Sequence, residues 1–151
     1  MAKVPLLGTD AVLAPAFLEA AGDAAIGYRL TGIDNDPKLM GSKYPELVQK
    51  YKAKYGEDPI GGFHANGYDC AMAIMLAVEK VAKTDADGTT YIGRKALRDA
   101  MMQTKDMDGM TGKLTCDPNG DCGTSNFAVW EFTSGDPSSY KIGTNPKRVY
   151  P

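Results

Sequence analysis

Histidine is almost missing from this 151-residue chain, which has only His64; tryptophan also occurs once, and cysteine three times. A single histidine with no thiol or metal-ligand partner visible around it removes the usual zinc patterns and the histidine-dependent nucleophiles. No Gly-x-Ser-x-Gly, His-Glu-x-x-His or P-loop pattern is present either. His64, close to a helix start, is therefore read as a pocket-edge or surface residue rather than a general base, and no catalytic residue is assigned. Charge of one sign is also missing: 17 basic against 19 acidic residues leave a net charge of −2. Nucleic acids and anionic membranes recruit concentrated basic faces, so neither is expected as a partner. No apolar run approaches the roughly 18 residues that span a bilayer. The longest, Cys70 to Val78, reads as a buried helix.

What is present is an ordinary globular composition, 43% hydrophobic and 24% charged, of a length suited to one domain. The first residues, Met-Ala-Lys-Val-Pro-Leu-Leu-Gly, lack the apolar segment and cleavage site of a secretory leader. Taken alone this points to the cytoplasm. The strand expected at Val4 to Leu7 begins with almost no lead-in, which suggests instead a chain that starts inside something longer.

The pattern along the chain is that of an α/β protein. The strand at Val4–Leu7 leads through Gly8-Thr9-Asp10 into a helix from Pro15 to about Ala21, and a second strand follows at Gly27–Gly32. After turn residues at 33–37, an amphipathic helix runs to about Tyr55, with Leu47, Val48, Tyr51 and Tyr55 on one face, and Gly56 closes it. Residues 62–83 form the most apolar helix, expected to pack on several sides. A polar loop at 85–90 precedes a third helix from Ile92 to about Thr104, with Ala96, Leu97, Ala100 and Met101 inward. Strands are expected at Met110–Cys116, Phe127–Thr133 and Tyr140–Thr144.

Candidate chemistry is confined to recognition. Thr9 and Asp10 lie just past the C-terminal end of a strand, where open α/β sheets bind ligands. A carboxylate there can hold an ammonium group, although Asp10 can equally serve as a helix N-cap or turn residue. Phe63 and Tyr68 flank a helix N-terminus and offer an aromatic wall, or core. Asp117-Pro118-Asn119-Gly120-Asp121 has the opening of a calcium loop, but its twelfth position is Ala128 rather than glutamate, so no metal is assigned. The same turn separates Cys116 from Cys122. It brings the two sulfurs within disulfide reach on facing strands, the alternative being two free thiols. A disulfide would place the protein outside the cytoplasm. Cys70 reads as an inert core thiol.

Five segments, in order, carry a resemblance: Leu6-Leu7-Gly8-Thr9-Asp10 with Ala16-Phe17-Leu18-Glu19-Ala20-Ala21-Gly22-Asp23-Ala24-Ala25; Val48 to Pro59; Asn66-Gly67-Tyr68-Asp69; Met107 to Leu114; and Asp117 to Asp121. Together they resemble the C-terminal part of branched-chain amino acid ABC-transporter substrate-binding proteins, the type I periplasmic binding proteins. The resemblance implies an incomplete two-lobe α/β fold with a C-terminal β-hairpin. Residues 1–33 and 127–151 would belong to the second lobe, and residues 34–126 to the helical part of the first lobe with crossover strands.

It further implies a non-catalytic, cofactor-free solute-binding protein of the periplasm or cell exterior, working with an ABC permease. Its ligand would be an amino acid or a related small polar molecule. Asp10 would take the ligand's ammonium group, and Phe63 would line the pocket, with Thr9 and Tyr68 beside them. A ligand-sensing regulator or receptor domain of the same fold is the alternative. The family's opening strands and its carboxylate-binding groups have no counterpart here. The chain is therefore expected to be a fragment, or to complete itself by pairing through exposed or swapped elements as a homodimer.

Overall fold

The computed structural model describes residues 4–123 and 126–150; residues 1–3, 124, 125 and 151, which the sequence reading assigned to the two lobe portions, lie outside the described residues. In chain order the elements are β1 (Leu7–Gly8), α1 (Pro15–Ala21), β2 (Arg29–Ile33), α2 (Tyr44–Tyr55), α3 (His64–Val81), β3 (Lys83–Thr84), β4 (Thr90–Tyr91), α4 (Arg94–Met102), β5 (Met107–Asp108), β6 (Lys113–Leu114), β7 (Phe127–Glu131) and β8 (Lys147–Tyr150). The chain divides into two units. The first takes Met1–Asn35, Pro59–Gly62 and Asn126–Pro151; the second takes Asp36–Asp58 and Phe63–Ser125.

The first unit is a sheet of order β1-β2-β7-β8. Arg29 and Thr31 of β2 face out while Leu30 and Gly32 are buried, the period of two expected of a strand with one covered face. β1 runs parallel to β2, and β7 runs antiparallel to it with Leu30 opposite Trp130 and Gly32 opposite Ala128. A side chain on Gly32 would collide with a Leu13 methyl and the Trp130 ring. Its absence lets the Trp130 indole lie over the strand, donating to the Gly32 carbonyl at 3.4 Å. Leu13, Leu18, Ala25, Leu30, Ala128, Trp130 and Phe132 form the core. Phe17 packs on its edge, with ring centroids 5.2 Å from Tyr28 and 5.3 Å from Phe132.

The C-terminal return to β8 is held by polar groups. Buried Asn145 accepts from the Thr133 amide at 2.8 Å and donates to Ser134 O at 3.1 Å and Ser139 Oγ at 2.7 Å. The Tyr140 hydroxyl donates to Leu13 O at 3.0 Å, and burial pushes its pKa up to about 12. The strand expected at Tyr140–Thr144 is not formed. Gly143 has φ +93, and Pro146 has no amide to give a ladder, so that stretch turns and the strand begins at Lys147. The opening strand is likewise displaced, from Val4–Leu7 to Leu7–Gly8.

The second unit is built differently. Gly56, at φ +80, ends α2 with its amide bonded to Lys52 O, as the sequence indicates. The apolar α3, however, buries only Ala65, Asp69 and Ala77, which corrects the expectation of packing on several sides. The cause is the lack of a platform among the described residues: this unit's strands make only the two-residue ladders β3–β4 and β5–β6. Its buried apolar cluster is Tyr44, Ala65 and Met110, edged by Met40, Leu47 and Val48. No residue of α4 is buried, and Ala96, expected inward, is exposed. Of the long strand expected at Met110–Cys116 only Lys113–Leu114 forms, as β6; the residues before it make a tight turn from β5, closed by Gly109 N to Gly112 O at 2.8 Å. Among the described residues no helix is long and apolar enough to cross a membrane.

Candidate functional site

Thr9 and Asp10 sit where β1 ends. Gly8 has no room for a side chain because the Tyr28 hydroxyl fills that place, so the strand end and Tyr28 fit together only with glycine there. Thr9 is exposed and precedes the short 3-10 turn Asp10–Val12 without a capping side-chain bond. Asp10 lies inside the turn, half-buried. Among the described residues its carboxylate takes part in no hydrogen bond or ion pair. The capping role considered for it is therefore not filled, and the charge is left to solvent or to a ligand.

Phe63 and Tyr68 belong to the second unit. Phe63 is the N-cap residue of α3, half exposed at 50%, and Tyr68 is 39% exposed. Five residues turn a helix by about 140° beyond a full circle, so the two rings leave α3 in different directions rather than forming one wall. Between them His64 is engaged: the Tyr44 hydroxyl lies 3.0 Å from its Nε2, with the rings stacked at 5.6 Å. Burial raises the Tyr44 pKa above its usual value.

One residue of consequence escaped the sequence reading. Asp69, 1% exposed, accepts from the Met110 amide at 2.6 Å, the Thr111 amide at 2.9 Å and the Thr111 hydroxyl at 2.7 Å. A buried carboxylate demands such donors. Gly109 leaves the space, since a side chain there would strike the Asp69 carboxyl and Leu114. Two of the sequence segments singled out above, Asn66–Asp69 and Met107–Leu114, are thus pinned together by one side chain. The usable signal was a carboxylate inside an apolar helix paired with a glycine- and threonine-rich turn.

The Cys116–Cys122 disulfide is formed. It closes a turn rather than joining strands, since neither cysteine is in a ladder; the turn is organised by Asp117, whose carboxylate accepts from Asn119 N at 2.8 Å and Asp121 N at 2.9 Å. Cys70, expected in the core, is exposed, because the face of α3 that carries it is uncovered. It borders a cavity of ≈ 410 Å³ inside the second unit, with Ile74, Met101, Leu114 and Cys122. Asn66 Oδ1, also in that wall, is buried without a hydrogen-bond partner among the described residues.

No protein-family model matches the chain, and no curated protein matches it. Solved structures do, and they define the class: this is part of a type I periplasmic-binding-protein fold. More particularly, the chain is similar to a leucine binding protein from Thermotoga maritima MSB8, with 27% identity and a TM-score of 0.64 over 86% of this chain and 34% of that one. A type 1 periplasmic binding protein from Bordetella pertussis Tohama I matches at 24% identity and TM-score 0.64, over 88% of this chain and 37% of its own. The branched-chain amino acid transporter substrate-binding protein of Streptococcus pneumoniae, solved with isoleucine, shares the fold at 20% identity and TM-score 0.64, over 87% and 35%. The chain spans about a third of the length of these proteins.

Proposed function

We propose that this chain serves as a solute-binding component of an ABC transporter for amino acids or related small polar ligands, outside the cytoplasm and without covalent chemistry. The observation that carries this reading is the uncommitted Asp10 carboxylate at the C-terminal end of β1, in a fold similar to a leucine binding protein. In that role Asp10 takes the ligand's ammonium group by a charge-assisted hydrogen bond, and Thr9 lies beside it. The disulfide suits an oxidising compartment. The one histidine is stacked on Tyr44 in the other unit from Asp10, which supports binding rather than acid–base work. An ABC permease would be the partner that receives the ligand.

Groups that hold the ligand's carboxylate are not assigned in this chain, so its own affinity is expected to be weak, in the millimolar range. The test is a titration of the 15N-labelled chain with leucine or isoleucine to tens of millimolar. Chemical-shift changes centred on Thr9 and Asp10, lost in Asp10→Ala and Asp10→Asn, are expected. Shifts that persist in both variants, or none at all, would overturn the assignment.

A further inference from the structure

We propose that the Cys70 thiol and the Cys116–Cys122 disulfide form one exchange unit, in which Cys70 displaces Cys116 and a Cys70–Cys122 link ties α3 to the 117–123 loop. Cys70 is exposed and carries a free thiol. It opens onto the cavity of ≈ 410 Å³ inside the second unit, and of the two bridged cysteines Cys122 is the one in that wall. A thiol and one end of a disulfide therefore share a single space, which is the access that thiol–disulfide exchange requires.

The two ends of the disulfide are held differently. The Cys116 amide donates to Thr104 O at 2.9 Å, just beyond α4, and its Sγ lies 3.2 Å from Met101 O. Among the described residues, the hydrogen bonds of 117–123 stay within the loop. Asp117 N donates to Asp121 O at 2.8 Å, Gly120 N to Asp117 O at 3.0 Å, and Gly123 N to Asp121 Oδ1 at 3.2 Å. Cys122 thus belongs to a loop bonded to itself, while Cys116 is anchored beside α4. The Cα separation of roughly 4.4–6.8 Å that a disulfide spans is reached by displacing that loop, with α3 left in place.

In the exchange the Cys70 thiolate attacks Cys122 Sγ. The Cys70–Cys122 bond forms and the Cys116–Cys122 bond breaks. Cys116 leaves as a thiolate and takes from solvent the proton that Cys70 gave up. One disulfide and one thiol are present before and after, so no oxidant or reductant enters. The direction has a physical basis. The existing link closes a loop of sequence separation 6, whereas the new one closes the whole stretch from Cys70 to Cys122. A longer closed loop removes more freedom from the unfolded chain. The new link also adds a covalent tie to a helix that buries only Ala65, Asp69 and Ala77. This inference does not depend on the ligand reading.

The test is thiol mapping of the full, unsubstituted chain in mildly alkaline buffer, which supplies thiolate. Samples taken over hours are trapped with excess N-ethylmaleimide, digested and read by mass spectrometry. Label is expected on Cys70 at the start and increasingly on Cys116, as a Cys70–Cys122 peptide pair replaces Cys116–Cys122. The rate should rise with pH and be independent of protein concentration. In concentrated urea the preference for Cys70–Cys122 should be lost, and in Cys70→Ser the label should never reach Cys116. Cys116→Ser, treated with oxidised glutathione, should close Cys70–Cys122 within one chain and melt a few degrees above its reduced form. Label confined to Cys70 at all times, a Cys70–Cys116 product, or a rate that scales with protein concentration overturns the proposal. The same product mixture in urea as in buffer overturns it too, as does a Cys116→Ser chain that stays reduced or links only to other chains.

Discussion

The two units of this chain solve the same problem with unequal means. The first lays aromatic and aliphatic side chains on a four-stranded sheet, so that Leu18, Leu30 and Phe132 are almost entirely removed from water. The second, larger in residues, has three buried apolar side chains in its cluster and leaves Ile74, Met75 and Leu76 of its longest helix exposed. What holds it is polar and covalent: the Asp69 clamp and the Cys116–Cys122 link. A helix can be as apolar as α3 and still contribute little burial when no sheet lies beneath it. Hydrogen exchange should show the contrast directly, with slow amides in β2 and β7 and faster ones throughout α4.

The largest expected effect comes from attacking the first unit where its burial is concentrated. Phe132→Ala removes a ring that is 0% exposed and touches Phe17, and should cost about 4 kcal/mol by denaturant unfolding. A loss below about 1 kcal/mol would mean that this unit is not the better packed of the two. In the second unit the comparable lesion is polar. Asp69→Ala strands two amides and a hydroxyl and should cost about 3 kcal/mol, whereas Asp69→Asn keeps one acceptor and should cost less. If no deletion of an exposed apolar residue of α3 approaches the effect of Asp69→Ala, the polar clamp dominates as described.

Much of this contrast was legible beforehand, and the failures have a common cause. Pro15, Gly56 and the alternation around Leu30 placed α1, the end of α2 and β2, because caps and period-two patterns are local signals. The disulfide was legible from its turn sequence. The burial of α3 and α4 was not, because an apolar residue signals burial only if a partner surface exists, and the partner is a matter of tertiary structure. The same gap moved Cys70 from core to surface. The C-terminal strand was misplaced because the turn around Gly143 and Pro146 lies inside a run with strand-like composition. At the candidate site, the sequence could place Asp10 at a strand end. It could not tell a capping carboxylate from a free one, since that depends on which amides point at it.

Smaller effects sharpen the comparison. Replacing both Cys116 and Cys122 with serine opens a short loop and should cost about 2 kcal/mol in the chain-entropy picture, visible as a lower melting temperature. Because the loss acts on the unfolded chain, the β2 and β7 amides should keep their relative protection. A drop confined to those strands would place the disulfide's influence in the wrong unit.

The pH dependence separates the units in the other direction. Tyr140, in the first unit, has its pKa raised from 10.0 to about 12 by burial. The folded state therefore holds this proton more tightly than the unfolded one. Its contribution is fully present below pH 10 and is lost as pH rises from 10 towards 12, by on the order of 2 kcal/mol. Tyr140→Phe loses the bond to Leu13 O but should flatten this alkaline limb, since nothing is left there to ionise. Tyr44, raised by burial in the second unit, adds a limb of the same sign. Tyr44→Phe removes it and leaves the Tyr140 limb in place. If Tyr140→Phe leaves the alkaline slope unchanged while Tyr44→Phe abolishes it, the weaker unit sets the alkaline limit of the whole chain, and the better-packed core has no part in it.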